Sequence, residues 1–335
     1  MKSSNAPRAG AALLFLFLLS LPASAQVSDV YIVPAAANGP GAAGTVWQTS
    51  FHLMNPQSYP LEVTLGFMPT GGAAADSDAF SIEVPANTTV YSPNIVEEFR
   101  TNASTGSLLV AVFPEDNLSA SDPEDVGSRG VILQTRTFNV RSDGTVGQGI
   151  DGAMTGLLDY ELDGLTAIAT GVQNYGAPGL SGFRTNVGAA NLGDSSFKLY
   201  VTVWDADGES LGTIAKQIPP LAHVQYRLEV EVEDGTLEFW AEDEVLPASF
   251  EEFVFPYASV VDNRTGDATY LDPKLLATPC SGGLFPFSAG RISSTMPRLT
   301  VQSVRRMFSA AGAIERATLV RGETGRTRIE RHADR

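Results

Sequence analysis

The chain has 335 residues and one cysteine, Cys280, so no intramolecular disulfide braces it and stability must come from buried apolar area. Between Gln26 and Cys280, 10 Lys plus Arg stand against 34 Asp plus Glu, whereas from Ser281 to Arg335 ten Arg stand against four acids. A body this acidic repels nucleic acid and anionic membrane surfaces, so neither is expected as a partner. At the N-terminus, Lys2 and Arg8 precede an apolar run from Ala11 to Leu21 and the small residues Pro22-Ala23-Ser24-Ala25. Residues 1–25 therefore read as a secretory signal peptide. The run is too short to span a bilayer, and no later segment offers roughly 18 uninterrupted apolar residues. The expectation is a secreted or periplasmic protein with no membrane insertion after cleavage.

The remaining length suits two domains, and the abundance of Val, Thr, Gly and Pro points to β structure. Self-similarity sets the architecture. Asn38, Trp47, Thr49 and Asn55 reappear 136 positions later as Asn174, Phe183, Thr185 and Asn191. The same offset carries Leu61, Val63, Leu65 and Phe67 onto Phe197, Leu199, Val201 and Val203. These positions have period 2, so the repeat preserves the inward face of a strand. Between them, Glu62, Thr64, Gly66 and Met68, and Lys198, Tyr200, Thr202 and Trp204, are expected to look outward. Asp143-Gly144, Asp207-Gly208 and Asp234-Gly235 read as hairpin turns. The fold class is thus all-β, two tandem antiparallel β-sandwich domains of about seven strands each. Unit 1 covers 27–147, a Gly/Asp-rich linker 148–159 and unit 2 160–272. The Arg-rich tail, 281–335, is expected to be a disordered basic extension that pairs with the acidic body, because Gly322 to Arg335 is polar, charged and poor in core-forming residues; a short helix docking on a partner and a reading-frame error are the alternatives.

The paired motifs Trp47-Gln48-Thr49-Ser50-Phe51-His52-Leu53-Met54-Asn55-Pro56 and Phe183-Arg184-Thr185-Asn186-Val187-Gly188-Ala189-Ala190-Asn191-Leu192 carry a resemblance. They resemble the tandem immunoglobulin-like or fibronectin type III-like β-sandwich units of uncharacterised secreted bacterial proteins. The stretch from Ser128-Arg129 to Gly149 resembles the closing strand of such a unit. The resemblance implies a sandwich fold and brings no catalytic residue set with it.

Candidate chemistry is sparse. His52, between Phe51 and Leu53, and His223, after Pro219-Pro220, have no second His or Cys at ligand spacing, so solvated strand histidines are expected rather than zinc ligands. The chain has no Gly-x-Ser-x-Gly elbow. Gly147-Gln148-Gly149-Ile150-Asp151-Gly152 matches a dinucleotide fingerprint in letters but has no helix to follow it, and reads as an interdomain turn. Asp205-Ala206-Asp207-Gly208-Glu209 reads as a hairpin turn rather than a calcium loop. Glu115, Asp116, Asp122 and Glu124-Asp125 have counterparts in Glu242, Asp243, Glu244 and Glu251-Glu252. These are solvated acidic loops, with calcium chelation as the alternative and no other cofactor expected. Trp204, Tyr200 and Trp240, with Tyr175, are the candidate ligand-binding aromatics, while Trp47 is expected in the core. The expected function is a non-catalytic interaction or surface-structural protein whose partner is an extracellular protein or glycan. A carbohydrate-binding module is the nearer alternative and a secreted hydrolase the distant one.

Overall fold

The computed structural model describes residues 30–99, 102, 105–112, 130–152, 165–193, 195–241, 254–277, 314–322 and 325–331. Its first half contains β1 (Val30–Ala37), β2 (Gly39–Pro40), β3 (Val46–Asn55), β4 (Leu61–Pro69), β5 (Asp78–Val84), β6 (Thr88–Ser92), β7 (Thr105–Val112), β8 (Ile132–Arg141) and β9 (Gly144–Ile150). These strands pair antiparallel as two sheets, β1-β7-β4-β5 and β6-β3-β8-β9, with the short β2 beside β3. The second half contains β10 (Leu165–Gly176), β11 (Gly182–Asn191), β12 (Phe197–Trp204), β13 (Ser210–Ile218), β14 (Ala222–Arg227), β15 (Val232–Trp240), β16 (Val254–Asp262), β17 (Ala268–Leu271) and β18 (Lys274–Ala277). Its order is β10-β15-β12-β13 and β14-β11-β16-β17, with β18 added on β10. The chain is all-β, two tandem antiparallel sandwiches.

Strand alternation decides what each sandwich encloses. Leu61, Val63, Leu65 and Phe67 of β4 turn inward onto Phe51, Leu53, Phe80 and Val110. Phe197, Leu199, Val201 and Val203 of β12 turn inward onto Val187, Leu237 and Phe239. The opposite face of β4 was expected to meet solvent, and it does not beyond Glu62. Thr64, Gly66 and Met68 are buried. Val30, Ile32, Met68, Leu109 and Ala111, on the outer face of β1-β7-β4-β5, pack against Ala190, Leu192 and Phe255 of the second half. The sheets therefore stack four deep, and the two central ones are largely covered on both faces.

One side chain recurs with the same duty in each half. Asn55 is fully buried at the end of β3, and its Nδ2 donates to the carbonyls of Tyr59, Val84 and Pro85 at 2.8–3.2 Å. Its Oδ1 accepts the Gln57 N–H at 2.9 Å. Asn191, at the end of β11, donates to Ser195, Ile218 and Pro219 at 2.8–3.3 Å and accepts from Gly193 at 2.8 Å. Each amide ties the strand of one sheet to the last residue of a strand in the other. A buried carbonyl deprived of its donor is left unsatisfied, so the side chain is hard to replace.

Three boundaries differ from the sequence expectation. Gln148 and Ile150, placed in the linker, belong to β9, so the Gly147 to Gly152 stretch begins as a strand rather than a turn. Ile150 is buried in the first core. Asp234-Gly235 is not a hairpin turn but lies inside β15, with Asp234 at φ 53° opposite register breaks in β10, as a bulge requires. The largest correction concerns the tail expected to be disordered. Its residues 281–313 lie outside the described residues, but β19 (Glu315–Arg316), β20 (Thr318–Arg321) and β21 (Thr327–Glu330) are packed on the first sandwich. There β19 runs parallel to β5 and β21 parallel to β6, the outer strands of the two sheets. The hairpin of β20 and β21 thus closes the side of the sandwich, with Ala317 and Ile329 buried in the core.

An arginine anchors this segment. The Arg331 side chain is 7% exposed and its guanidinium pairs with Asp78 while reaching the Glu98 carbonyl at 3.3 Å. The expectation was a disordered basic extension pairing with the acidic body; here one arginine is instead the ordered counter-ion of a nearly buried carboxylate.

Two outcomes follow. Asn191→Ala is expected to lower the unfolding free energy by about 3 kcal/mol, from orphaned carbonyls; urea unfolding measures it. Arg331→Ala is expected to cost about 3 kcal/mol by removing its ion pair with Asp78, and to open Arg316 and Arg328 to trypsin, read by mass spectrometry of the limited digest.

Candidate functional site

The structure brings the three sequence-selected aromatics onto one surface, the outer face of β10-β15-β12-β13. Tyr200 and Trp240 stand directly opposite each other across β12 and β15. Their rings stack at 4.3 Å between centroids and 13° between planes. Such cross-strand aromatic pairs stabilise a sheet and present a stiff apolar surface. Lys198 adds its ammonium 4.8 Å from the Tyr200 ring centroid.

Both indoles are pinned. Trp240 Nε1 donates to Thr202 Oγ1 at 3.0 Å, and that hydroxyl lies 3.0 Å from Thr213 Oγ1 on β13. Trp204 Nε1 donates to Glu238 Oε2 at 3.0 Å. Tyr200 is 8% exposed under its neighbours, whereas Trp204 and Trp240 remain partly open. The arrangement offers a rigid aromatic ledge edged by a cation and a carboxylate. It can stack on a flat apolar partner without first ordering its own side chains.

Other candidates fall elsewhere. Tyr175 packs edge-on against Phe183, away from this ledge, on the bridge between β10 and β11. Trp47, expected in the core, is only half-buried and bonds Thr45 Oγ1. Asp205 spends its carboxylate on its own turn, accepting the N–H groups of Asp207 and Glu209 at 3.0 and 2.8 Å. The calcium candidates Glu115, Asp116, Asp122, Glu242, Asp243 and Glu244 lie outside the described residues. Among the described residues no group of three or more His, Cys, Asp or Glu could hold a metal, and no helix is long and apolar enough to cross a membrane.

The histidines divide. His52 is exposed and faces Tyr91 at 4.7 Å, as expected of a strand surface. His223, expected to be solvated, is fully buried where the two halves meet. Its Nδ1 lies 2.8 Å from Thr70 Oγ1 of the first half and its Nε2 lies 3.0 Å from the Tyr257 hydroxyl. The outer face of β14 that carries it is covered by the other sandwich, which no local pattern around Pro219-Pro220 signals. Tyr257 can lie against β11 because Gly188 stands opposite it; a Cβ there would come within 2.4 Å of the ring. Burial lowers the His223 pKa from 6.5 to about 3, against a smaller opposing pull from the Pro34 carbonyl. It likewise pushes the Tyr257 phenol up.

No family model matches the chain, and no curated protein matches it. Solved structures of Bacteroides uniformis β-glucuronidase 2 are similar to it only faintly. A calcium-binding mutant of that enzyme is 13% identical over 73% of this chain and 26% of its own, with a TM-score of 0.14. The form covalently bound to a cyclophellitol-6-carboxylate aziridine is 14% identical over 70% and 26%, again with a TM-score of 0.14. The chain spans about a quarter of the length of those chains, and superposition this poor carries no argument.

The buried histidine generates a pH dependence. Unfolded, it takes a proton below about 6.5; folded, it stays neutral to about 3. Between those values the unfolded state binds more protons, so stability falls as pH falls. From pH 6.5 to 5 this group alone is expected to remove about 2 kcal/mol. Urea unfolding across that range should show the loss, and His223→Gln should lack that component.

Proposed function

We propose that this chain is an exported, non-catalytic interaction protein, built from one β-sandwich unit used twice, whose binding surface is the aromatic ledge of its second half. The observation that carries the reading is the Tyr200–Trp240 stack with both neighbouring indoles hydrogen-bonded in place. Partly exposed, rotationally fixed aromatics are the side chains that most often anchor an interface, because they offer large contact area at small entropic cost.

The doubled unit is supported by the shared strand order and by the matched roles of Asn55 and Asn191. Thr49 and Thr185 add a second match, each bonding the carbonyl of the residue 12 positions earlier, Ala37 and Gln173. The signal-like N-terminus and acidic body support export and a partner that is neither nucleic acid nor membrane. His223, enclosed and held neutral between Thr70 and Tyr257, serves the contact between halves rather than proton transfer to a substrate.

A glycan is the favoured class within this reading. The flat indole faces carry negative quadrupole density that suits the C–H groups of a sugar ring, while Lys198, Thr213 and Glu238 offer donors and acceptors at the edge. Binding of the full chain to a glycan array and to a panel of extracellular matrix proteins tests it. Trp240→Ala and Trp204→Ala are each expected to weaken the strongest signal at least about tenfold. Unchanged binding in both variants, or wild-type turnover of ester or peptide substrates lost in His52→Ala, would sink the proposal.

A further inference from the structure

The contact between the two sandwiches is apolar at one end and polar at the other. At the polar end it forms a half-open cavity of about 200 Å³. Ala36, Pro40 and Trp47 of the first half form one wall, and Arg184, Asn186 and Gln225 of the second form the other. This volume accommodates several water molecules or a small organic ligand.

Arg184 projects from the outer face of β11 and is 5% exposed. Its Nη1 donates to Asn263 Oδ1 at 3.1 Å, a neutral amide. Among the described residues no carboxylate pairs with it. The acid that acts on it, Asp262, is committed to its own turn, where Oδ1 accepts the N–H groups of Arg264 and Thr265 at 2.7 and 2.8 Å. A second guanidinium, Arg227, acts on it from nearby, so the local charge is positive inside an otherwise acidic body. Loss of water and the presence of Arg227 both lower the Arg184 pKa, the direction expected of a cation that lacks its counter-ion. A buried charge without a partner is strongly unfavourable, and arginine, which does not give up its proton, cannot escape by neutralising.

We propose that this cavity is a binding site for the carboxylate of a small organic acid, with Arg184 as its counter-ion and the amides of Asn186 and Gln225 holding the ligand's neutral polar groups. One guanidinium lines the cavity, Arg227 stands outside the lining, and the other lining groups are uncharged amides, hydroxyls, aromatic rings and alkyl groups. That composition suits a monocarboxylate and disfavours a phosphate dianion, for which clustered cations are the usual hosts. The fork of the guanidinium matches the two oxygens of a carboxylate. Because the walls come from both halves, the ligand also ties one sandwich to the other. The site is separate from the aromatic ledge and does not depend on the function proposed for it.

Titration of the full chain with sodium acetate, sodium D-gluconate and sodium phosphate, at constant ionic strength in sodium chloride, tests the proposal by calorimetry and thermal unfolding. Acetate or gluconate is expected to bind at one site per chain, with Kd of about 1 mM or tighter, and to raise Tm, because the ligand stabilises only the folded state. Phosphate is expected to leave Tm unchanged. Arg184→Met should abolish the carboxylate response while leaving the unliganded Tm equal or higher, since an unpaired buried charge has gone. Asn186→Ala keeps the arginine and should weaken binding about tenfold, so the test survives if Arg184→Met does not fold. The proposal is overturned if neither carboxylate binds at about 50 mM, if phosphate binds as well as they do, or if the response persists in Arg184→Met.

Discussion

Asn55 and Asn191 hold the turn of the chain at which each sandwich passes from one sheet to the other. At that corner three carbonyls converge on a single side-chain amide, whose own oxygen takes the N–H two residues on. Aspartate would present acceptors to acceptors, and an apolar residue would leave the carbonyls dry. With one cysteine in the chain, this is how a two-sheet fold fixes its corner without a covalent tie. The strand spacing, the inward faces and the two cores all presuppose it.

Once each corner is fixed, the sandwiches have edges and faces to dispose of. An open sheet edge invites pairing with another chain, and natural proteins cover such edges. The first half covers the outer strands β5 and β6 with a hairpin drawn from the far end of the sequence. The hairpin carries few apolar residues, but Ala317, Leu319 and Ile329 reach the core and Arg331 meets Asp78. The outer sheet face of that half is consumed by the second half through Met68, Leu109 and Phe255. His223 sits in this same contact, and that is why a polar residue of ordinary type is held neutral there.

The last sheet face, the one carrying Tyr200, Trp204 and Trp240, has a different fate. Its counterpart on β4 is Thr64, Gly66 and Met68, small or flexible residues that let a second sheet approach. On β12 the same register positions hold Tyr200, Thr202 and Trp204, β15 adds Trp240 beside them, and hydrogen bonds from the two indoles lock those rings in place. One strand pattern thus produces an internal contact in one half and an aromatic ledge in the other.

Much of this was legible from residue order alone. Period-2 alternation in Leu61 to Phe67 and Phe197 to Val203 identifies inward faces, because a strand puts successive side chains on opposite sides whatever surrounds it. The 136-residue offset picks out Asn55 and Asn191 as a pair, whereas the stacking of Tyr200 on Trp240 depends on the register of β12 against β15. What the sequence could not state is which outward face another sheet will cover. That choice buried His223, half-exposed Trp47 and enclosed Arg184, and it depends on residues far apart in the chain. The tail was misread for the same reason: a polar, charged stretch looks disordered until Asp78 stands beside Arg331, and only the closed sandwich brings the two together, 253 positions apart.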